Sequence, residues 1–214
     1  MKKLFMLLLF VGSMFAASPD AILQDSYYTL KEFLNIPEKK IPKKLLQNAK
    51  AIAIIPGVIR GGFVIGGRYG EGILMVRHGR NWSDPVFVKL AGGSFGWQIG
   101  LESIDVMLVF ETHESVDRLV SGKFTLGADA SVAAGPVGRA GEASTDIKFR
   151  SEIYSYSKSR GIFAGLTLKG AVLDIDYEKT RSFYHASSKS VILGRVHKNN
   201  RYIQKIKTLL NRYR

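Results

Sequence analysis

The sequence contains no cysteine, and this absence excludes several classes of site at once. Disulfides, thiolate nucleophiles, thiolate metal sites and a lipid anchor attached to cysteine are all ruled out. Histidine is also scarce. The four histidines are scattered, with no i, i+4 pair and no H-E-x-x-H motif, so we expect no metal site and no cofactor.

Acidic residues are few relative to basic ones. There are 31 Lys and Arg residues against 18 Asp and Glu residues, which gives a formal net charge of +13. A charge of this size favours association with anionic surfaces, either nucleic acid or phospholipid headgroups, and says nothing about the fold.

The first 18 residues have the features of a secretory signal peptide. Lys2 and Lys3 precede an apolar stretch, Leu4 to Phe15, and small residues follow at Ala16 to Ser18. An uncleaved N-terminal anchor is the alternative. Removing Lys2 and Lys3 leaves 29 basic residues against 18 acidic ones, so the mature chain keeps a charge of +11.

No second apolar run approaches the length of a membrane span. The expected protein is therefore exported and periplasmic or associated with the cell envelope, and it is not a lipoprotein. Export argues against nucleic acid as the partner of the positive charge. A membrane surface is the better candidate.

Glycine is concentrated in the middle of the chain, where 20 of the 22 glycines lie between Gly57 and Gly170. Glycine within apolar runs marks bulges, bends and close backbone approaches in strands. Strands do not alternate with long helices, so a parallel sheet is not expected. We predict an α+β fold, with a curved, mainly antiparallel, barrel-like sheet and flanking helices at both termini.

The pattern of short apolar runs predicts many separate strands. A first strand over 51–55 is expected to stop at Pro56-Gly57, and a short helix is predicted over Glu114–Val120. The remaining predicted strands are Gly62–Arg68, Gly72–Arg77, Val86–Leu90, Ser94–Gly100, Asp105–Glu111, Phe124–Ala133, Ala143–Ser157, Gly161–Leu168 and Gly170–Tyr177.

Both ends of the expected mature domain, residues 19–214, combine an apolar stripe with basic residues. A helix starting at Pro19-Asp20 carries Leu23, Tyr27, Leu30 and Leu34 at helical spacing and is followed by Lys39, Lys40, Lys43 and Lys44. A basic amphipathic helix is predicted over about 197–214, and the segment Arg195–Arg214 holds seven Lys or Arg residues and no acid. Such helices either lie in a headgroup layer or pack on the sheet.

Two glycine-rich segments are candidates for a chemical role. Gly92 to Gly96 matches the G-x-S-x-G pattern of a serine nucleophile, but Trp97 to Gly100 alternates like a strand, whereas the nucleophile elbow needs a following helix. Hydrolysis by Ser94 is therefore a minor alternative. The turn Gly135–Gly141 contains Arg139 and is either an anion-binding nest or an ordinary turn with a solvated arginine.

Several segments between Asp20 and Val196, taken in order, form a recognisable set. They are Ala49–Pro56, Gly61–Phe63, Gly66–Gly72, Trp82–Pro85, Gly92–Gly100, Leu126–Asp129, Ala134–Arg139 and Tyr154–Gly165. Together they resemble the SYLF domain family, a phospholipid-binding module whose eukaryotic members include actin-binding proteins. The resemblance implies a core over about 20–196, lipid binding through the N-terminal helix and nearby basic residues, and no enzymatic activity.

These observations predict a non-enzymatic protein that associates peripherally with anionic phospholipid membranes. Lys39, Lys40, Lys43, Lys44 and Arg139 would contact headgroups, while Leu23, Tyr27, Leu30 and Leu34 would either dock on the body or insert. The alternative is a structural module of the cell envelope that binds an acidic protein or polysaccharide. A protein partner is compatible with both.

Overall fold

The computed structural model describes residues 17–35, 41–136, 151–159, 162–165 and 168–213, with side chains described except at 62–65, 94–101 and 162–165. Two long strands, β1 (Ala51–His78) and β3 (Val86–Phe110), form its centre. They pair antiparallel from Ala51 opposite Phe110 to Leu74 opposite Val86. The short β2 (Asn81–Trp82) pairs with the end of β1 and lies between them in the chain.

The prediction of separate short strands in this region was wrong. The five segments predicted between Gly62 and Glu111 merge into two continuous strands, and the strand from Ala51 runs through Pro56-Gly57. The register shifts between Ile55 and Val58, which identifies Pro56-Gly57 as a bulge. A bulge bends a strand without ending it, and that outcome is hard to distinguish from a turn in sequence.

Short strands extend this ribbon from two separate parts of β3. Near its C-terminal end, β3 pairs with β6 (Ile153–Ser159), which in turn pairs with β5 (Val132–Ala134) and β7 (Ile162–Gly165). Near its N-terminal end, β3 pairs with β8 (Val172–Ile175), which pairs with β4 (Phe124–Thr125).

The result is a strongly curled, eight-stranded half-barrel with helices at both ends, which confirms the predicted fold class. Its named pairings are antiparallel except for β5 with β6. The predicted single strand Phe124–Ala133 was wrong, because a turn at residues 127–129 separates β4 from β5.

The two halves of β1 cross in very close contact. The backbone N–H of Arg77 donates to the carbonyl of Lys50 at 2.8 Å. A Cβ atom added to Gly72 would lie 2.7 Å from the Cα of Ile55 and would overlap the carbonyl oxygen of Ile54. Glycine is therefore required here because the two backbone segments leave no space for a side chain.

Two helices precede the sheet, α1 (Pro19–Asn35) and α2 (Lys43–Asn48). A third, α3 (His113–Ser121), agrees with the predicted helix Glu114–Val120 and is capped by the Thr112 hydroxyl, which accepts from the Ser115 N–H at 3.3 Å. No described helix has both the length and the apolar character needed to cross a membrane.

The C-terminal part contains α4 (Tyr177–Tyr184), α5 (Ser188–Ile192), α6 (Arg201–Leu210) and a 3-10 turn (Asn211–Tyr213). Helix α4 was not predicted from the sequence, and Tyr177 was predicted to lie in a strand. Asp176 directly follows β8, and its side chain caps the N-terminus of α4. The predicted C-terminal helix begins later than residue 197, since the Asn200 side chain caps α6 by accepting from the Tyr202 N–H at 2.9 Å.

Glu111 lies at the end of β3 in a partly buried position near Lys50 and Arg77. Its Oε1 atom is buried and has no hydrogen-bond partner among the described residues. Burial raises the pKa of Glu111 to about 7, while the positive charges of Lys50 and Arg77 act in the opposite direction. Ionised Glu111 is therefore unfavourable in the folded state.

The close crossing of β1 gives a stability prediction. We expect Gly72→Ala to lower the free energy of unfolding by about 3 kcal/mol, because the new methyl group forces two backbone segments apart. Chemical denaturation measures this. Gly67→Ala is the matched control, since a Cβ there meets no described atom within 4 Å, and its effect should stay within about 0.5 kcal/mol. Equal effects of the two substitutions would contradict the close crossing.

The raised pKa of Glu111 gives a pH prediction. The folded state holds the proton more tightly than the unfolded state, so stability is expected to fall as pH rises from the ordinary value of 4.5 to about 7. Thermal unfolding across this range measures the effect, and Glu111→Gln should flatten that part of the profile. A wild-type profile that rises over the same range, or a variant profile unchanged from wild type, would show that burial does not control this group.

Candidate functional site

The apolar stripe of α1 docks on the body of the protein. Leu23 and Leu30 are both 0% exposed, and Ile22 and Phe33 are buried beside them. Tyr27 and Leu34 are partly buried against the same core. Of the two outcomes expected for this stripe, docking or insertion, the structure shows docking. These leucines are therefore not available to a membrane while α1 remains in place.

The C-terminal helix α6 packs alongside α1. The ring centroids of Tyr27 and Tyr202 lie 6.1 Å apart, and the Tyr202 hydroxyl donates to Gln24 Oε1 at 2.6 Å. At the start of α6, Asn200 Nδ2 donates to Asp20 Oδ1 at 2.9 Å. These contacts bring together the two amphipathic helices that the sequence analysis considered separately.

Two cations of α6 lie over the tyrosines at this contact. The Lys205 ammonium is 5.3 Å from the Tyr27 ring centroid and 5.7 Å from that of Tyr202. The Arg201 guanidinium is 4.5 Å from the Tyr202 ring and donates to the Tyr202 hydroxyl at 2.7 Å. Both side chains are exposed, so the stacking orders the charged groups at the surface without removing them from solvent.

The same surface carries an exposed aromatic ring and a further cation. Tyr28 packs edge-on against Tyr27 with 5.1 Å between centroids and is 49% exposed. Lys31, one helical turn beyond Tyr27, is also exposed. We name this surface the helix-pair face, and define it as Tyr27, Tyr28, Lys31, Arg201, Tyr202 and Lys205.

Tyr27 was singled out from the sequence, and Arg201, Tyr202 and Lys205 were placed only within the basic amphipathic C-terminal segment. Tyr28 and Lys31 were missed. The spacing could have indicated some of them. Lys31 follows Tyr27 by four residues, and Arg201 and Lys205 are also four residues apart, so each pair lies on one side of a helix. Only the structure shows that the two sides are adjacent.

The predicted headgroup-binding residues have different outcomes. Lys43 and Lys44 are exposed in the first turn of α2. Lys39, Lys40 and Arg139 lie outside the described residues.

The end of the chain approaches α2, since Arg77 Nη2 donates both to Leu46 O at 2.7 Å and to Tyr213 O at 3.4 Å.

Basic residues dominate the C-terminal part of the protein. After Glu178 the sequence contains ten Lys or Arg residues and no acid. Lys179 and Lys207 form ion pairs with Glu71 and Asp84. Within the described chain no carboxylate forms an ion pair with the exposed cations Arg181, Lys189, Arg195, Arg201, Lys205 and Arg212.

A buried carboxylate holds this basic segment in place. The Asp84 side chain is 1% exposed and accepts from Lys207 Nζ at 2.5 Å and from the Lys198 backbone N–H at 2.8 Å. His197 Nδ1 lies 3.2 Å from Asp84 Oδ1. From the sequence, Trp82–Pro85 was assigned to the family resemblance and Asp84 was given no partner, because nothing in the local pattern shows one 123 residues away.

The described residues provide no geometry for the other chemistries that the sequence suggested. Ser94 pairs with Gly66 inside β3, so the strand continues where a nucleophile elbow would turn into a helix. Among the residues that the structure describes, no group of three or more His, Asp or Glu side chains could hold a metal ion.

Comparison with known proteins identifies the family. Residues 91–213 match a family model described as "Ysc84: Las17-binding protein actin regulator". The chain belongs to the Ysc84 (SYLF) family. This confirms the resemblance predicted from the sequence motifs.

Curated relatives extend the similarity toward the N-terminus. The SH3 domain-containing YSC84-like protein 1 of Xenopus laevis is 37% identical over 162 residues, which is 72% of this chain and 48% of the relative. Protein YSC84 of Saccharomyces cerevisiae is 36% identical over 165 residues, and LAS seventeen-binding protein 3 of the same species is 33% identical over 165 residues. Those matches cover 74% of this chain and 35% and 36% of the respective yeast proteins. The chain thus spans about half or less of the length of these relatives.

The buried ion pair at Asp84 gives a third prediction. We expect Asp84→Asn to lower the free energy of unfolding by about 3 kcal/mol, since the buried carboxylate is lost and the partly buried Lys207 ammonium keeps no charged partner. Denaturant unfolding measures the change. The exposed Asp117 gives the matched control, and Asp117→Asn should change stability by less than about 0.5 kcal/mol. A stability loss no larger than that of the control would show that Asp84 does not anchor α6.

Proposed function

We propose that the protein binds anionic phospholipid membranes peripherally through the helix-pair face. The observation that carries the proposal is the ordered placement of Lys205 and Arg201 over tyrosine rings at an exposed surface. Cations beside aromatic rings suit a headgroup layer, where ammonium and guanidinium groups meet phosphates and the amphipathic rings occupy the interface.

The charge on this face supports reversible attachment. Each basic residue close to an anionic surface contributes about 1 kcal/mol at physiological salt. Lys31, Arg201 and Lys205 would together contribute about 3 kcal/mol. The exposed Lys43 and Lys44 form a second basic group that would add to this contribution, as would the predicted Lys39, Lys40 and Arg139.

The mode of binding follows from the burial of the α1 stripe. Because Leu23 and Leu30 belong to the core, insertion of α1 into the bilayer would require its removal from the sheet, with loss of their buried area. We therefore propose attachment of the folded protein by charge and tyrosine contacts, without insertion of α1. This binding role requires no catalysis, and with the predicted signal peptide it would operate on the exported side of a membrane.

A protein partner is the second candidate function. It is supported by the family description and by the name of the yeast relative LAS seventeen-binding protein 3. For this chain, the net charge of +13 favours an acidic protein or polysaccharide of the cell envelope. In that case the basic surface would bind this partner, and the protein would not bind lipid vesicles.

Vesicle co-sedimentation tests the membrane proposal. The mature protein should bind vesicles containing phosphatidylserine and should not bind neutral phosphatidylcholine vesicles. Replacing Lys31, Arg201 and Lys205 together by Gln should weaken binding about a hundredfold, because about 3 kcal/mol of attraction is lost.

The matched control removes the same number of exposed charges from other parts of the surface. Replacing the exposed Arg80, Lys123 and Lys169 together by Gln should leave vesicle affinity within about threefold, since none of them belongs to the helix-pair face and only charges close to the membrane surface escape screening. Equal losses for the two triple variants would refute the helix-pair face as the contact. Equal recovery of wild type with neutral and anionic vesicles would refute the membrane proposal altogether and favour the protein partner.

A further inference from the structure

A second concentration of positive charge lies within β1, away from the helix-pair face. A Cβ added to Gly70 would lie 2.8 Å from Val58 Cγ2 and 3.2 Å from Val58 Cα, so the two halves of the strand face each other at these positions. Arg60 lies two residues after Val58 in the chain, and Arg68 lies two residues before Gly70. Because strand side chains alternate with period two, both arginines point to the same side as Val58 and Gly70 and therefore face each other.

Only one described carboxylate forms an ion pair with this arginine pair. Arg60 Nη1 lies 3.7 Å from Glu102 Oε2, and Glu102 Oε1 also accepts from the Ser159 hydroxyl at 2.7 Å. Arg68 instead donates from Nη2 to the neutral carbonyl of Gly93 at 3.2 Å. Burial and the adjacent charge of Arg60 both lower the pKa of Arg68, which agrees with the close approach of the two groups.

Both guanidinium groups keep unused hydrogen-bond donors. The Nε atoms of Arg60 and Arg68 are buried, and neither has a hydrogen-bond partner among the described residues. A buried donor without an acceptor is unfavourable, and the fork formed by Nε and the terminal nitrogens matches the oxygens of an anion. The two Nε donors therefore lack an acceptor among the described residues, and Glu102 is the one described carboxylate that offsets the two positive charges.

The surroundings of the pair leave access from solvent. The Arg60 side chain is 28% exposed. The Arg68 side chain is also partly exposed. A small anion can therefore reach the pair from solvent.

We propose that Arg60 and Arg68 form a binding site for a phosphate group. One phosphate would accept from both guanidinium groups, satisfy their Nε donors and reduce the repulsion between them. The phosphate could belong to free inorganic phosphate or to an exposed phosphomonoester headgroup, since the two present the same oxygens. The site is separate from the helix-pair face and does not depend on it.

Isothermal titration of the full mature chain with sodium phosphate tests the site, against sodium chloride at equal ionic strength. Arg60→Lys and Arg68→Lys keep the charge but remove the Nε donor, so each should weaken phosphate binding by about tenfold or more. Arg181→Lys is the matched control at an exposed arginine without an ion pair to a described carboxylate, and it should bind phosphate like wild type. Unfolding temperatures of the three variants without phosphate verify that each is folded.

Two results would overturn the proposal. One is the absence of phosphate binding by wild type beyond that of chloride. The other is equal phosphate affinity of wild type and the folded Arg60→Lys and Arg68→Lys variants. The triple variant of the helix-pair face should keep full phosphate binding, so failure of the membrane proposal and failure of this site can be told apart.

Vesicles distinguish the two sources of the phosphate. Phosphatidic acid exposes a phosphomonoester, whereas phosphatidylserine contains only a phosphodiester. If the headgroup is the ligand, Arg60→Lys and Arg68→Lys should weaken binding to phosphatidic acid vesicles about tenfold more than binding to phosphatidylserine vesicles. If both vesicle affinities are unchanged while phosphate binding is lost, the ligand is free phosphate.

Discussion

The arrangement of the surface depends on one buried carboxylate. Asp84 is almost fully buried and accepts from the Lys207 ammonium and the Lys198 backbone, so it fixes the segment that leads into α6 and one side of α6 itself. Because unpaired charges are strongly unfavourable in a protein interior, the ion pair allows very few alternative positions for this helix. The contact of α6 with α1, and hence the stacking of Lys205 on Tyr27, follows from that position.

A different constraint shapes the sheet. The close crossing at Gly72 brings two halves of one long strand together, and the ribbon of β1 and β3 curls around the core as a result. The same crossing places Arg60 opposite Arg68. Two unrelated features therefore present positive charge at defined positions, one through helix packing and one through strand curvature. Net charge alone would predict neither position.

Much of the architecture could be predicted from the sequence. The glycine distribution indicated a curved sheet, and the apolar spacing of Leu23 and Leu30 correctly indicated a docking or inserting stripe on α1. The first and last residues of individual strands and helices were harder to predict. Pro56-Gly57 forms a bulge, which needs the partner strand to be recognised, and α4 was missed because Tyr177 lies directly after an apolar strand and its cap, Asp176, also suits a turn.

The candidate site could be predicted only in part, for a physical reason. Each helix of the helix-pair face shows its own amphipathic pattern, but Tyr27 and Lys205 are distant in sequence and meet only through tertiary packing. Long-range ion pairs such as Asp84 with Lys207 leave no periodic signal. The family match identifies the relatives of the chain, whereas the surface proposed to contact a membrane is defined only by tertiary contacts.

In the proposed mode of binding, the folded protein meets the membrane with α1 still docked on the sheet. Amide hydrogen exchange of the mature protein, measured free and bound to phosphatidylserine vesicles, tests this most directly. We expect the backbone amides of α1 to exchange as slowly in the bound state as in the free state, or more slowly. Faster exchange of this helix, together with newly exposed β1 amides beneath it, would show that α1 leaves the sheet to insert and would contradict binding with α1 docked.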